Sequence, residues 1–155
     1  MITAIRFVFL ATLGSWIGIM AFLSFVVAPT VFGVLEAPQA GDVVGAIFPR
    51  YYAVGVSLGV AAVAAALFLR TRSERRRAWT LAVLALVVAV AAASWSGAAV
   101  HPEARRLRTA LRGPAATDEV RADFARLHRV AVALTLVAML AAATSLGAAA
   151  TALRQ

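Results

Sequence analysis

The chain has no cysteine, and only 14% of its 155 residues are charged. The missing thiols exclude a disulfide scaffold, and copper(I), which prefers Cys or Met, would find Met20 and Met139 isolated within helices. The scarcity of charge, beside 63% hydrophobic residues and a mean hydropathy of +0.88, sets the chain apart from soluble domains, which are about a quarter charged. It equally excludes a disordered tail or a collagen-like repeat. No carboxylate falls within any long apolar run, so a buried proton relay or cation path is not indicated. A serine nucleophile with His and Asp partners, a phosphate-binding loop and a dinucleotide fingerprint are also missing. The composition points to no enzyme class.

What is present is four charge-free stretches, residues 7–35, 51–69, 78–100 and 130–153. A hydrocarbon core of about 30 Å takes roughly 20 helical residues to cross, and backbone groups in lipid must be satisfied within each segment. The expected fold is therefore all-α, an integral membrane four-helix bundle with short loops, in one domain covering residues 1–155. The first stretch is too long for a signal-peptide core, and cleavage after Ala28 would set Pro29 just beyond the cut. It reads as a retained membrane helix.

All fifteen basic residues are Arg. Arg70, Arg72, Arg75, Arg76 and Arg77 crowd the second connection, and with Arg6 and Arg154 they put seven on one side against eight on the other. The raw count gives no orientation. The dense cluster favours that side as cytoplasmic, with both termini inside a bacterial inner membrane. The excess positive charge then reads as topology and lipid contact, with no nucleic-acid partner expected.

Pro29 should bend or end the first helix, residues 32–48 should form a Gly- and Pro-rich connection, and Pro49 should start the second helix. Within that connection, residues 40–47 have the pattern of a short interfacial amphipathic turn. Gly113 and Pro114 break the third connection. Thr117 is an N-cap candidate ahead of Asp118 and Glu119, and Val120, Phe124, Leu127 and Ala131 follow at helical spacing. The fourth helix should thus begin near Asp118 and extend beyond the bilayer, with His128 facing the bundle. Gly14 with Gly18, and Gly55 with Gly59, have the spacing that lets membrane helices approach closely. Trp16-x-Gly18 is echoed by Trp95-x-Gly97, but the distances to the following Pro29 and Pro102 differ, so a duplication is not favoured.

One string is distinctive: Trp16-x-Gly18, Phe22, Pro29 and Phe32, then Ala40-Gly41-x-x-x-Gly45-x-x-Phe48-Pro49-x-Tyr51-Tyr52, with Pro102, Phe124 and His128. It resembles the family of transmembrane protein 205 and its bacterial relatives, over essentially the whole chain. The resemblance implies a four-helix membrane protein without an established biochemical activity, associated in eukaryotes with resistance to platinum drugs. More distantly, the Trp-x-Gly and Pro-x-x-Phe elements are similar to copper resistance D proteins and HemJ-type protoporphyrinogen oxidases. The haem-binding histidine of the HemJ type has no counterpart here, since the first helix contains no histidine.

The topology gathers Phe48, Arg50, Tyr51, Tyr52, His101, Arg105 and His128 at one membrane face, where a polar vestibule or ligand site is expected, with Trp16 deeper in the span. Plainer roles stand beside it. Tyr51, Tyr52, Trp79 and Trp95 have the placement of an aromatic belt, and Arg50 and Arg105 that of snorkelling side chains. His101 at a helix end can bind the last carbonyls, and Trp16 can be core packing. His101, His128 and Glu103 are the only plausible metal set, and His101 with His128 would suffice as axial ligands of a haem. The expected role is binding or moving a small molecule or metal species at the membrane. The alternatives are a haem-carrying redox protein and an accessory subunit. The partners would be membrane lipid, a second copy of the chain or a larger membrane complex.

Overall fold

The computed structural model describes residues 1–114 and 116–153. Among them there is no strand, and four helices are each long and apolar enough to cross a membrane: α1 (Ile2–Val34), α2 (Ala37–Thr71), α3 (Arg76–Ala110) and α4 (Asp118–Leu153). This is compatible with an integral membrane protein. Sequential helices pack against each other, and α1 meets α4 more thinly.

The helices run to 33–36 residues, or roughly 50 Å at about 1.5 Å per residue. That exceeds a hydrocarbon core of about 30 Å, so the charged helix ends overhang the charge-free spans. The expected irregular connections are therefore helical. The 32–48 connection shrinks to Leu35 and Glu36, and residues 40–47 are simply the first turns of α2. Pro49 lies inside α2, with Pro38 taking the helix-start position expected of it. Residues 101–110 continue α3 in the same way. Thr117 does cap α4, its Oγ1 accepting from the Val120 N–H at 3.3 Å.

The prolines leave a visible mark on the other two helices. A proline has no N–H for the carbonyl four residues earlier, and its ring crowds that carbonyl. In α1 the affected carbonyl of Pro29 is on Phe25, within a π-helical turn at Leu23–Val27. In α3 that of Pro102 is on Ala98, within a π-helical turn at Ser96–Val100. Each π turn ends two residues before its proline, a structural echo between two parallel helices that the spacing of the Trp-x-Gly pairs does not reveal.

The core sets large side chains of α1 against small ones elsewhere. Phe9, Leu13, Trp16 and Met20 are buried at helical spacing, against Ala62, Ala66, Ala82, Ala89, Ala142 and Ala149. Gly55 and Gly59 receive the Trp16 indole: a Cβ at Gly55 would stand 2.7 Å from Trp16 Nε1, and one at Gly59 2.7 Å from both Trp16 Cζ3 and Val90 Cγ2. Gly14 and Gly18 instead face outward with open space where a Cβ would be, because the buried stripe of α1 runs through residues 9, 13, 16 and 20. They join no helix of this chain. Trp79 is likewise not part of an aromatic belt, being buried edge-on to Phe9 at 5.3 Å, while Trp95 is exposed.

At the end carrying the termini, Arg75 Nη1 donates to the Thr151 carbonyl at 3.0 Å and Arg70 Nε to Thr80 Oγ1 at 2.9 Å. Part of the Arg cluster thus ties helix ends together. Arg154, grouped with it in the sequence, lies outside the described residues.

Candidate functional site

The opposite end is a helical cap built from the start of α2, the end of α3 and the start of α4. Its centre is an aromatic cluster. Phe48 stacks on Tyr52 at 5.6 Å, Tyr51 meets Tyr52 edge-on at 5.0 Å, and His101 stands edge-on to Phe48 at 5.4 Å and to Tyr52 at 6.2 Å. Helical spacing puts Phe48, Tyr51 and Tyr52 on one side of α2, and Gly97 lets α3 come up to them. A Cβ at Gly97 would stand 2.9 Å from the Tyr52 Cβ.

His101 does not bind the carbonyls of its own helix. Its Nε2 lies 3.2 Å from the Gly45 carbonyl oxygen of α2, and the Nε2–H tautomer donates to it. Gly45 is the residue four before Pro49, so its carbonyl is the one that Pro49 cannot serve. A buried imidazole fills the gap that the proline opens, as side chains do for broken helices in membranes. The Gly45-x-x-Phe48-Pro49 string is thereby explained in part: proline frees the acceptor, and the missing Cβ at Gly45 leaves room for the Arg108 guanidinium.

Two turns further out, α3 latches onto α2. Gly41 and Gly45 form a groove that receives the Arg108 guanidinium, which donates to the Gly41 carbonyl. Arg112 donates to the Pro38 carbonyl at 2.8 Å and pairs with Asp42 at 2.8 Å, while Arg108 stands 3.9 Å from the same carboxylate. The Arg112 hydrogen bond is the main cause holding the Asp42 carboxyl below the usual aspartate range, against a smaller desolvation effect, and Asp42 in turn raises Arg112. Arg108, Arg112 and Asp42 were not singled out from the sequence. The signal was there in the i, i+4 spacing of both Gly41/Gly45 and Arg108/Arg112, on segments that read as loops.

Beneath the cap, within the charge-free spans, lies a small chamber of about 10 Å³ bordered by Trp16, Tyr51, Tyr52, Gly55, Ser96 and Thr135. That volume is about the space one water molecule needs. Ser96 reaches it from the π turn of α3, where it is buried. Five hydrogen-bonding side chains thus gather at this depth, of which Thr135 donates to the Ala131 carbonyl of its own helix at 2.9 Å.

Of the expected site residues, the structure brings together Phe48, Tyr51, Tyr52 and His101, with Trp16 below them. Arg50 and Arg105 are exposed and stand outside the cluster. His128 is exposed as well, contrary to the inward placement expected of it. The buried stripe of α4 runs through residues 138, 142, 145 and 149. Continued backwards at about 100° per residue, it passes through residues 120, 124, 127 and 131 and leaves 128 on its flank. The expected vestibule is therefore a packed cap, and it is not built around His128. A bis-histidine haem does not fit this arrangement, with His101 committed to Gly45, His128 outside and the chamber sized for a water. Among the described residues no group of three His, Cys, Asp or Glu could hold a metal ion, so the His101, His128 and Glu103 set is not assembled.

Comparison with known proteins returns a family profile described as "Domain of unknown function (DUF4149)", matching residues 11–113. The match takes in the first three helices, including the aromatic cluster and both latch arginines. An "Uncharacterized protein" of Aquifex aeolicus (strain VF5) is 51% identical over 49 residues, which make up 32% of this chain and 37% of that protein. The aligned part is thus well under half of either chain. No solved structure matches.

Proposed function

This chain belongs to the DUF4149 family, whose description names no activity, and we propose that it binds an uncharged hydrogen-bonding molecule of the size of water in the chamber beneath the cap, as a step in moving it across the membrane. The observation that carries this reading is the gathering of Trp16, Tyr51, Tyr52, Ser96 and Thr135 around one small space inside apolar spans. Hydroxyls donate to and accept from a neutral solute, and an indole N–H donates to it. They are poor ligands for zinc or copper, which take imidazole, thiolate or carboxylate, so a small molecule is favoured over a metal species. The π turn of α3, which brings Ser96 to the chamber, supplies a helix segment with weakened backbone bonding, at which the cap can open. On this reading the Ala40 to Tyr52 part of the string that resembles the transmembrane protein 205 type helps to build the cap.

The test is stopped-flow light scattering on proteoliposomes after an osmotic step, with water as the permeating probe. Water flux is expected to be several-fold faster than in protein-free vesicles. Ser96→Val, which replaces a hydroxyl by a larger apolar group, should abolish the difference. Equal rates with and without protein would count against the proposal.

An accessory or self-associating role is the second reading, favoured by the outward Gly14 and Gly18, which leave a shallow place on α1 for another helix. Gly14→Leu would then shift the assembly size on native gels. An unchanged size would place these glycines against lipid.

A further inference from the structure

At the end carrying the termini, far from the chamber, lies a larger cavity of about 140 Å³ bordered by Arg6, Leu69, Arg72, Ser73, Glu74 and Trp79. It is many times the roughly 10–15 Å³ that one water requires. Its lining includes two arginines and one glutamate, and among the described residues neither arginine has an ion-pair partner. The Arg6 Nε is shut off from solvent and finds no acceptor there either. Arg72 is held in place by its own helix end, its guanidinium carbon lying 5.5 Å from the centre of the Phe68 ring. The Ser73 hydroxyl oxygen accepts from the Arg75 N–H at 3.1 Å, so its hydrogen remains free to donate.

Two oriented guanidinium groups with a hydroxyl donor are a recognition set for an oxyanion, and phosphate is the one that arginine pairs with best. The position also matters. The cavity sits where the charge-free spans end and α1 exposes Phe7 and Leu10, so acyl chains lying along α1 would carry a headgroup to it. We propose that this cavity binds a phosphate oxyanion, as a phospholipid headgroup or as free phosphate, with Arg6 and Arg72 as its principal donors. Glu74 limits the site to one such group by setting a single negative charge against a second. The inference is independent of the chamber, which lies at the other end of the bundle.

The experiment is native mass spectrometry of the full chain released from detergent micelles, with phosphatidylglycerol, diacylglycerol of the same acyl chains and inorganic phosphate as probes. Phosphatidylglycerol is expected to be retained at least tenfold over diacylglycerol, and Arg6→Gln and Arg72→Gln should each lower that preference about tenfold, the equivalent of one charge-assisted hydrogen bond. Competition by inorganic phosphate would support the site with the free ion as sufficient ligand. Absence of competition, with the lipid preference intact, would support it with the headgroup as ligand. Arg72 is exposed, so its variant carries the test even where Arg6→Gln does not fold. Equal retention of the two lipids, an unchanged preference in Arg72→Gln, or an equal loss in Arg121→Gln at the far end would overturn the proposal.

Discussion

If His101 serves the carbonyl that Pro49 leaves free, then the energetic effect of removing one depends on the presence of the other. His101→Ala takes away a buried imidazole, with its edge contacts to Phe48 and Tyr52, and leaves the Gly45 oxygen without its donor at 3.2 Å. An unsatisfied buried carbonyl costs about 1–3 kcal/mol, over and above the lost packing. Pro49→Ala supplies an N–H in the right place on α2, so the helix itself can then serve Gly45. In that background His101→Ala should lose only the packing part, giving a coupling of about 1–2 kcal/mol in a double-mutant cycle. The cycle can be measured by equilibrium unfolding in mixed detergent micelles, with tryptophan emission as the signal. Additivity within about 0.5 kcal/mol would refute the reasoning, for it would mean that the Gly45 oxygen gains nothing from the imidazole.

Other consequences follow from the same geometry. His128→Ala should change stability by less than about 0.5 kcal/mol in that assay, since the side chain is exposed, whereas a larger loss would show that it makes contacts. Gly59→Ala should destabilise by about 1–3 kcal/mol through overpacking against the buried Trp16 and Val90, while Gly18→Ala, in open space, should be neutral or slightly stabilising; the reverse order would mean that α1 faces the other way. Gly45→Ala should push the Arg108 guanidinium off the Gly41 carbonyl, but Gly41→Ala meets that side chain only at ordinary contact distance, so faster hydrogen exchange at the end of α3 is expected in the first variant and not in the second. Asp42 has a lowered folded-state pKa, so its pairing with Arg112 contributes fully above the ordinary value of 3.8 and fades as pH falls below it. The difference in thermal stability between the wild type and Asp42→Asn should therefore be full at pH 6 and shrink as the pH falls below 3.8; a difference that did not shrink would exclude the ion pair as its source.

The amino-acid sequence by itself determined the solvent and the class of fold. Runs of about twenty residues without charge have one stable form in lipid, and four of them give four helices. It also marked the string around Gly45, Phe48, Pro49, Tyr51 and Tyr52, and the start of α4 at Asp118 behind the Thr117 cap. Which residues form the cap was decided by tertiary structure. Gly41, Gly45 and Pro49 are poor helix formers in isolation, so residues 32–48 read as a connection. They are helical because α3 supplies the missing groups, His101 to the carbonyl freed by Pro49 and Arg108 and Arg112 to carbonyls one and two turns earlier. Such partners lie more than fifty residues away along the chain, and no local rule links them. The facing of a side chain within a helix was decided in the same way. A stripe of apolar residues continues past the bilayer edge in α4, and small errors in its phase carried His128 to the wrong side. In α1 and α3 the π turns alter the phase again, and they arise from prolines whose effect depends on the helices packed around them. The binding chemistry shows the same division: the sequence held every residue of the chamber, and only the packing of four helices put Trp16, Tyr52, Ser96 and Thr135 around one space.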